Sequence, residues 1–138
     1  MKKEESILIQ IKRMSIEVEK LSNNRLQPYG LTHTQFTTLK YIYMHSQFSI
    51  RQIDIEKEFS LTNPTVTGIL QNLEKKGMIE RIQNPEDSRS KLIKATKKAQ
   101  DIKEDLVHFG EELERYVTQE LTQEEKQQLH SLLKKLRV

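Results

Sequence analysis

From Ile7 onward, apolar residues return at alternating steps of four and three: Ile7, Ile11, Met14, Val18 and Leu21. This heptad seam predicts one long amphipathic helix that closes at Pro28, Tyr29 and Gly30. Such a seam suits an ordinary core helix and equally a helix that meets a partner chain. A second helix has an explicit start. Thr32 serves as N-cap with Gln35 three residues on, a capping box, and Leu31 and Phe36 flank it as a hydrophobic staple. Phe36, Leu39, Ile42 and Tyr43 form its buried stripe, and His33 falls in its exposed first turn. A short third helix is expected after Ser49, with Gln52 completing another capping box and Ile50, Ile53 and Phe59 facing inward. After the tight connection Phe59-Ser60-Leu61-Thr62, a fourth helix begins at Thr62 or Asn63. Pro64 lies in its first turn, where a missing amide costs nothing, and Gly77 is placed to end it in the left-handed conformation. Val66, Leu70 and Leu73 make its apolar face. Two short helices joined by a brief turn have the helix-turn-helix layout.

Two β-prone runs come next, Met78-Ile79-Glu80-Arg81-Ile82 and Lys91-Leu92-Ile93-Lys94-Ala95. They enclose a polar stretch from Gln83 to Ser90 and predict a hairpin with Arg89 at its tip. A hairpin directly after a helix-turn-helix is a wing. Thr96 caps a fifth helix with the seam Ile102, Leu106, Phe109, Leu113 and Tyr116. Thr122 and Glu125 open a last helix carrying Leu129, Leu132, Leu133 and Leu136. The expected fold class is mainly α with a small β-hairpin wing (α+β). One domain is expected over residues 1–138, with a winged helix-turn-helix at 32–95 (helix-turn-helix about 50–77, wing about 78–95) between end helices at 1–30 and 96–138.

Composition changes this picture in three ways. With 35% apolar and 31% charged residues, the chain buries a modest core by itself, which points to apolar surface completed by a second subunit. The absence of cysteine removes thiol redox sensing, thiolate metal sites and disulfides. No apolar run reaches membrane-spanning length, and Met1-Lys2-Lys3-Glu4-Glu5 leads into an amphipathic stretch, so a cytoplasmic protein with no membrane partner is expected. Charge is unevenly divided. Residues 75–98 hold eight basic residues against three acidic ones, while residues 99–138 hold six against nine. Such a cluster is the footprint of a polyanion partner, or else a solvated basic face.

A helix that enters the major groove needs an inward apolar stripe and an outward face of small hydrogen-bonding residues. Here Thr62, Asn63, Pro64, Thr65, Thr67, Gly68, Gln71 and Asn72 supply that face, followed by Lys75 and Lys76, with no acidic residue before Glu74. In the wing, Asp87-Ser88-Arg89-Ser90-Lys91 presents a guanidinium that suits a narrow, strongly negative minor groove. Asp87 is expected to hold Arg89 or Arg81 by a charge-assisted bond, and Arg81 and Lys91 to reach phosphates. No catalytic constellation occurs: HExxH, a glycine-rich phosphate loop and a Gly-x-Ser-x-Gly elbow are absent, and His33, His45, His108 and His130 are scattered. The expectation is a non-enzyme without cofactor.

In order, Leu61-Thr62-Asn63-Pro64-Thr65-Val66-Thr67-Gly68-Ile69-Leu70, Leu73-Glu74-Lys75-Lys76-Gly77-Met78-Ile79, Arg81 and the Asp-x-Arg-x-Lys of residues 87–91 resemble the multiple antibiotic resistance regulator (MarR) family. The resemblance covers essentially the whole chain, and its specific motifs lie between about residues 50 and 98. It implies a homodimer whose end helices interlock, a pseudo-palindromic double-stranded DNA operator, recognition helices in successive major grooves and wings in the flanking minor grooves. Many members carry arginine or another long polar residue where this chain has Gly68, which shifts base reading towards Asn63, Thr65, Thr67 and Gln71. The family's usual mode is repression relieved by a small-molecule effector lodged between the dimerisation helices and the winged unit. Met14, Phe36, Tyr43, Met44 and Phe109 are candidates for that space, and their spacing also suits simple core. A zinc-responsive repressor using His45, His108 and Glu112 is one alternative. A winged-helix adaptor that binds protein without specific DNA binding is another.

Overall fold

In the computed structural model, residues 6–137 are described; the Met1–Glu5 start lies outside them. Helix α1 spans Ile7–Arg25 and is capped by the Ser6 hydroxyl, which accepts from the Leu8 amide at 3.2 Å. A 3₁₀ turn, Gln27–Tyr29, separates it from α2, His33–Met44, and Gly30 makes the corner at φ 65°. The expected Thr32–Gln35 capping box is present in both directions. Phe36, Leu39, Ile42 and Tyr43 are all buried, as the stripe predicts. His33 departs from expectation: it is half-buried, with Nδ1 2.7 Å from the Ser22 hydroxyl and its amide donating to the Asn23 side-chain oxygen. Burial pushes its imidazole below the ordinary histidine range, against the opposing pull of Glu19.

Helix α3 spans Gln52–Phe59, about two turns, and its phase differs from the predicted one. Its N-cap is Arg51, not Ser49, and Asp54 accepts both the Arg51 amide and its guanidinium. Burial opposes ionisation of Asp54, yet these bonds hold its carboxyl below the usual range. The cause of the late start lies in the wing. The Ile50 carbonyl accepts the Ile93 amide at 2.8 Å and Arg51 bridges Leu92, so the backbone stays extended through Arg51. The core residues are therefore Ile50 and Ile55, whereas Ile53 is exposed and Phe59 half-buried.

Ser60 turns the chain at φ 52° into α4, Asn63–Lys75. Val66, Leu70 and Leu73 are fully buried. Gly77, at φ 72°, ends the helix in a Schellman motif: the Met78 amide reaches the Leu73 carbonyl and the Gly77 amide reaches that of Glu74. Strands β1, Ile79–Asn84, and β2, Asp87–Ala95, pair antiparallel from Ile79 opposite Ala95 to Gln83 opposite Lys91. The hairpin reaches farther than predicted. Its turn is only Pro85-Glu86, and the register shift after Gln83 puts Ser88, Arg89 and Ser90 outside the regular ladder.

The expected fifth helix is two: α5, Lys97–Asp101, and α6, Lys103–Val117, interrupted at Ile102. Helix α7, Gln123–Lys135, has the predicted Thr122–Glu125 capping box. The described chain divides into two compact units, one ending at Val107 and the other beginning at His108. In the first unit, the Tyr43 hydroxyl donates to the Ala99 carbonyl at 2.5 Å, and burial pushes that phenol up to about 12. In the second, Leu113 is buried while Leu129, Leu132, Leu133 and Leu136 stay open. No described helix is long and apolar enough to cross a membrane.

Candidate nucleic-acid interface

The buried stripe of α4 turns its opposite side outward. Thr62, Asn63, Pro64, Thr65, Gln71, Asn72 and Lys75 are exposed; Thr67 and Gly68 are partly so. These side chains are held by their neighbours. The Gln52 amide nitrogen donates to the Thr67 hydroxyl at 2.9 Å and to the Asn63 carbonyl at 3.3 Å. Thr67 therefore accepts from inside and keeps its own proton to donate outward. The Thr62 and Thr65 hydroxyls lie within hydrogen-bond distance of each other at 3.0 Å. Asn63 donates to Glu56 at 3.1 Å, so α3 brings a carboxylate to the edge of a face whose own residues are acid-free.

The wing is braced differently from the prediction. Asp87 accepts the Arg89 backbone amide at 3.0 Å, not a guanidinium, and Arg81 lies 3.5 Å from Glu74 on α4. The hairpin end is tied by Asn84, which accepts the Glu86 amide and donates to the Ser90 hydroxyl, each at 3.0 Å. Arg89 sits on the irregular part of β2, and Ser88, Arg89 and Lys91 are exposed. Between α3, the first turn of α4 and the wing lies a groove of about 470 Å³. Arg51, Arg81, Arg89 and Lys91 all line it, with Gln52 and Asn63 at its α4 side. Glu56 also lines it, and Arg51 and Arg81 are paired with Asp54 and Glu74, so Arg89 and Lys91 supply most of the positive potential beside the polar helix face. Arg51 and Gln52 are the residues missed from sequence; nothing in local spacing shows that α3 starts under the wing.

The other candidates separate. Phe36 and Tyr43 are core, Met14 and Met44 are exposed, and Phe109 is half-buried in the second unit. His45 has Nδ1 2.9 Å from the Tyr41 carbonyl and stacks on the Tyr41 ring; His108 lies 3.9 Å from Glu112. Among the described residues no group of three or more histidine, aspartate or glutamate side chains is gathered for a metal.

Residues 31–91 match the sequence model of the MarR family. Over 119 residues the chain is 35% identical to the multiple antibiotic resistance protein MarR of Salmonella typhimurium, covering 86% of this chain and 81% of that protein. The chain belongs to the MarR family of winged-helix transcriptional regulators. Two solved structures place its elements. An S. aureus MepR–DNA complex superimposes with a TM-score of 0.89 at 31% identity, over 96% of each chain. A cysteine-to-serine variant of E. coli MarR complexed with operator DNA gives 0.83 at 31% identity, over 91% of this chain and 89% of that one.

Within this MarR-family frame, Gly68 has a testable consequence. It sits mid-helix, and a Cβ built there meets nothing within 4 Å. Gly68→Ala is expected to stabilise the fold by about 0.5–1 kcal/mol, because alanine loses less backbone entropy in a helix. Urea unfolding measures it; a destabilised variant would show that the site needs glycine for another reason.

Proposed function

We propose that this MarR-family chain is a sequence-specific double-stranded DNA-binding transcriptional regulator acting as a symmetric homodimer on a pseudo-palindromic operator. The observation that carries the reading is the outward face of α4, where Thr67 keeps a proton to donate and the exposed Thr65, Gln71 and Asn72 can reach base edges. The four-cation groove beside it supplies the sequence-independent part of the binding. Helices α1 and α7 support the dimer through exposed apolar side chains, among them Ile11, Met14, Leu132 and Leu133. The protein acts in the cytoplasm, where such an operator is reached, and performs no catalysis. Repression is relieved by a small molecule that favours a half-site spacing unsuited to the operator.

Selection of bound fragments from a genomic pool, followed by mobility shifts across salt, tests the reading. Binding should persist on one selected duplex over competitor and fall steeply with salt. Weak binding without preference would leave a protein-binding adaptor instead. Arg89→Ala is expected to reduce affinity for the selected duplex about tenfold or more, one charge-assisted contact being lost in each subunit. Circular dichroism and dimer mass should not change. Undiminished binding removes Arg89 from the interface.

A further inference from the structure

Adjacent lysines at the end of α4 have different surroundings. Lys75 is exposed, whereas Lys76 is partly buried and its ammonium is committed. Lys76 Nζ donates to the Gly30 carbonyl at 2.5 Å and to the Gln35 side-chain oxygen at 2.7 Å. That same oxygen accepts the Thr32 amide in the capping box of α2, and Gln35 is buried. The Lys76 carbonyl in turn accepts from Lys98 Nζ at 2.8 Å. One residue farther on, the Gly77 carbonyl accepts the Thr96 hydroxyl at 2.5 Å. The C-terminus of α4 is thus bonded on one side to the corner that leads from α1 into α2, and on the other to the start of α5.

We infer that Lys76 is a positioning residue for operator recognition: it sets the seating of α4 against the helices that flank the winged unit. The inference rests on the proposed DNA-binding role. Its physical basis is the pair of anchors at opposite ends of one helix. Gln52 holds the N-terminal half through Thr67 and the Asn63 carbonyl. Lys76 holds the C-terminal end through two acceptors, one of them the carbonyl of a glycine in the left-handed corner. With both ends held, Thr67 and Gln71 cannot drift from their base edges by a roll or tilt of the helix. Charge-assisted bonds are short and directional, which suits a lysine to this task where a neutral contact would hold more loosely. Two of the three Lys76 N–H donors are spent on protein oxygens at the α1–α2 corner, so we assign Lys76 to geometry and the exposed Lys75 to phosphate contact.

Salt dependence separates these roles. Lys76→Met should weaken binding to the duplex selected by the wild-type chain about tenfold, roughly the loss of one such contact. Binding to random competitor duplex should stay unchanged, and the slope of log affinity against log salt should keep its wild-type value. Lys75→Met should instead lower that slope by about two units, one phosphate contact per subunit of a dimer. Gln35→Met removes one of the two acceptors and keeps the lysine charge, so it should give part of the Lys76→Met loss, and the double variant should be no weaker than Lys76→Met alone. Circular dichroism below the unfolding transition checks that each variant is folded. Wild-type affinity in both Lys76→Met and Gln35→Met overturns the inference, as does a reduced slope in Lys76→Met. A wild-type chain that prefers no duplex overturns the DNA-binding reading itself, and this inference with it.

Discussion

Leu70→Ala is expected to lower the unfolding free energy by about 2–5 kcal/mol, the range for removing a buried leucine whose surroundings relax only in part. Leu70 is fully buried at the middle of α4, between Val66 and Leu73, which are buried to the same degree. The helix has 13 residues, and a helix of that length is marginal alone in water, so tertiary burial supplies its stability. Gly68 lowers its intrinsic propensity further. Truncating the central apolar side chain therefore removes the contact on which the outward face depends, and DNA affinity should fall with stability. Chemical denaturation of wild type and variant under identical conditions gives the difference directly. A loss below about 1 kcal/mol would mean that the neighbourhood closes the cavity and that α4 is held chiefly by its end anchors.

The recognition helix was readable because every signal in it is local. Pro64, the Val66-Leu70-Leu73 stripe and Gly77 all lie within one segment, and each acts on its own backbone. The same holds for the Thr32–Gln35 and Thr122–Glu125 boxes, whose partners are three residues apart. Sequence reasoning went astray where a distant strand decided a local matter. Ser49 and Gln52 have a good capping pattern, yet pairing of Ile50 and Arg51 with β2 keeps that segment extended and delays α3 to Gln52. The phase of the helix shifts with its start, which moves Ile55 inside and Ile53 outside. The break at Ile102 was invisible for another reason: the apolar seam begins at Ile102 itself, and neither proline nor glycine marks it. In the site, residue types on α4 were legible, but their hydrogen-bond roles were not. Which end of Thr67 faces outward depends on Gln52, fifteen residues earlier, and that choice exists only in three dimensions.

The proposed dimer carries the other large effect. Helix α1 exposes Ile7, Leu8, Ile9, Ile11, Met14 and Ile16, so the first half of the predicted seam finds no cover within the described chain. Helix α7 is similar, with Leu129, Leu132 and Leu133 all more than two-fifths exposed. A soluble monomer seldom keeps so continuous an apolar stripe in water. Burying one such side chain is worth roughly 1.5–3 kcal/mol, and a two-fold interface uses each position twice. Ile11→Glu and Leu132→Glu, made separately, should therefore weaken dimerisation by about 10²–10⁴-fold, before counting the cost of burying the carboxylate. Sedimentation at micromolar concentration should find the mass falling from twice 16.3 kDa to 16.3 kDa, with helical content retained because neither side chain is part of the subunit core. Binding to a two-half-site duplex should fall with it, since a single recognition helix reads only half the operator. If both variants remain dimers of wild-type strength, these stripes face something other than a second copy, and the pairing of half-sites must come from another surface.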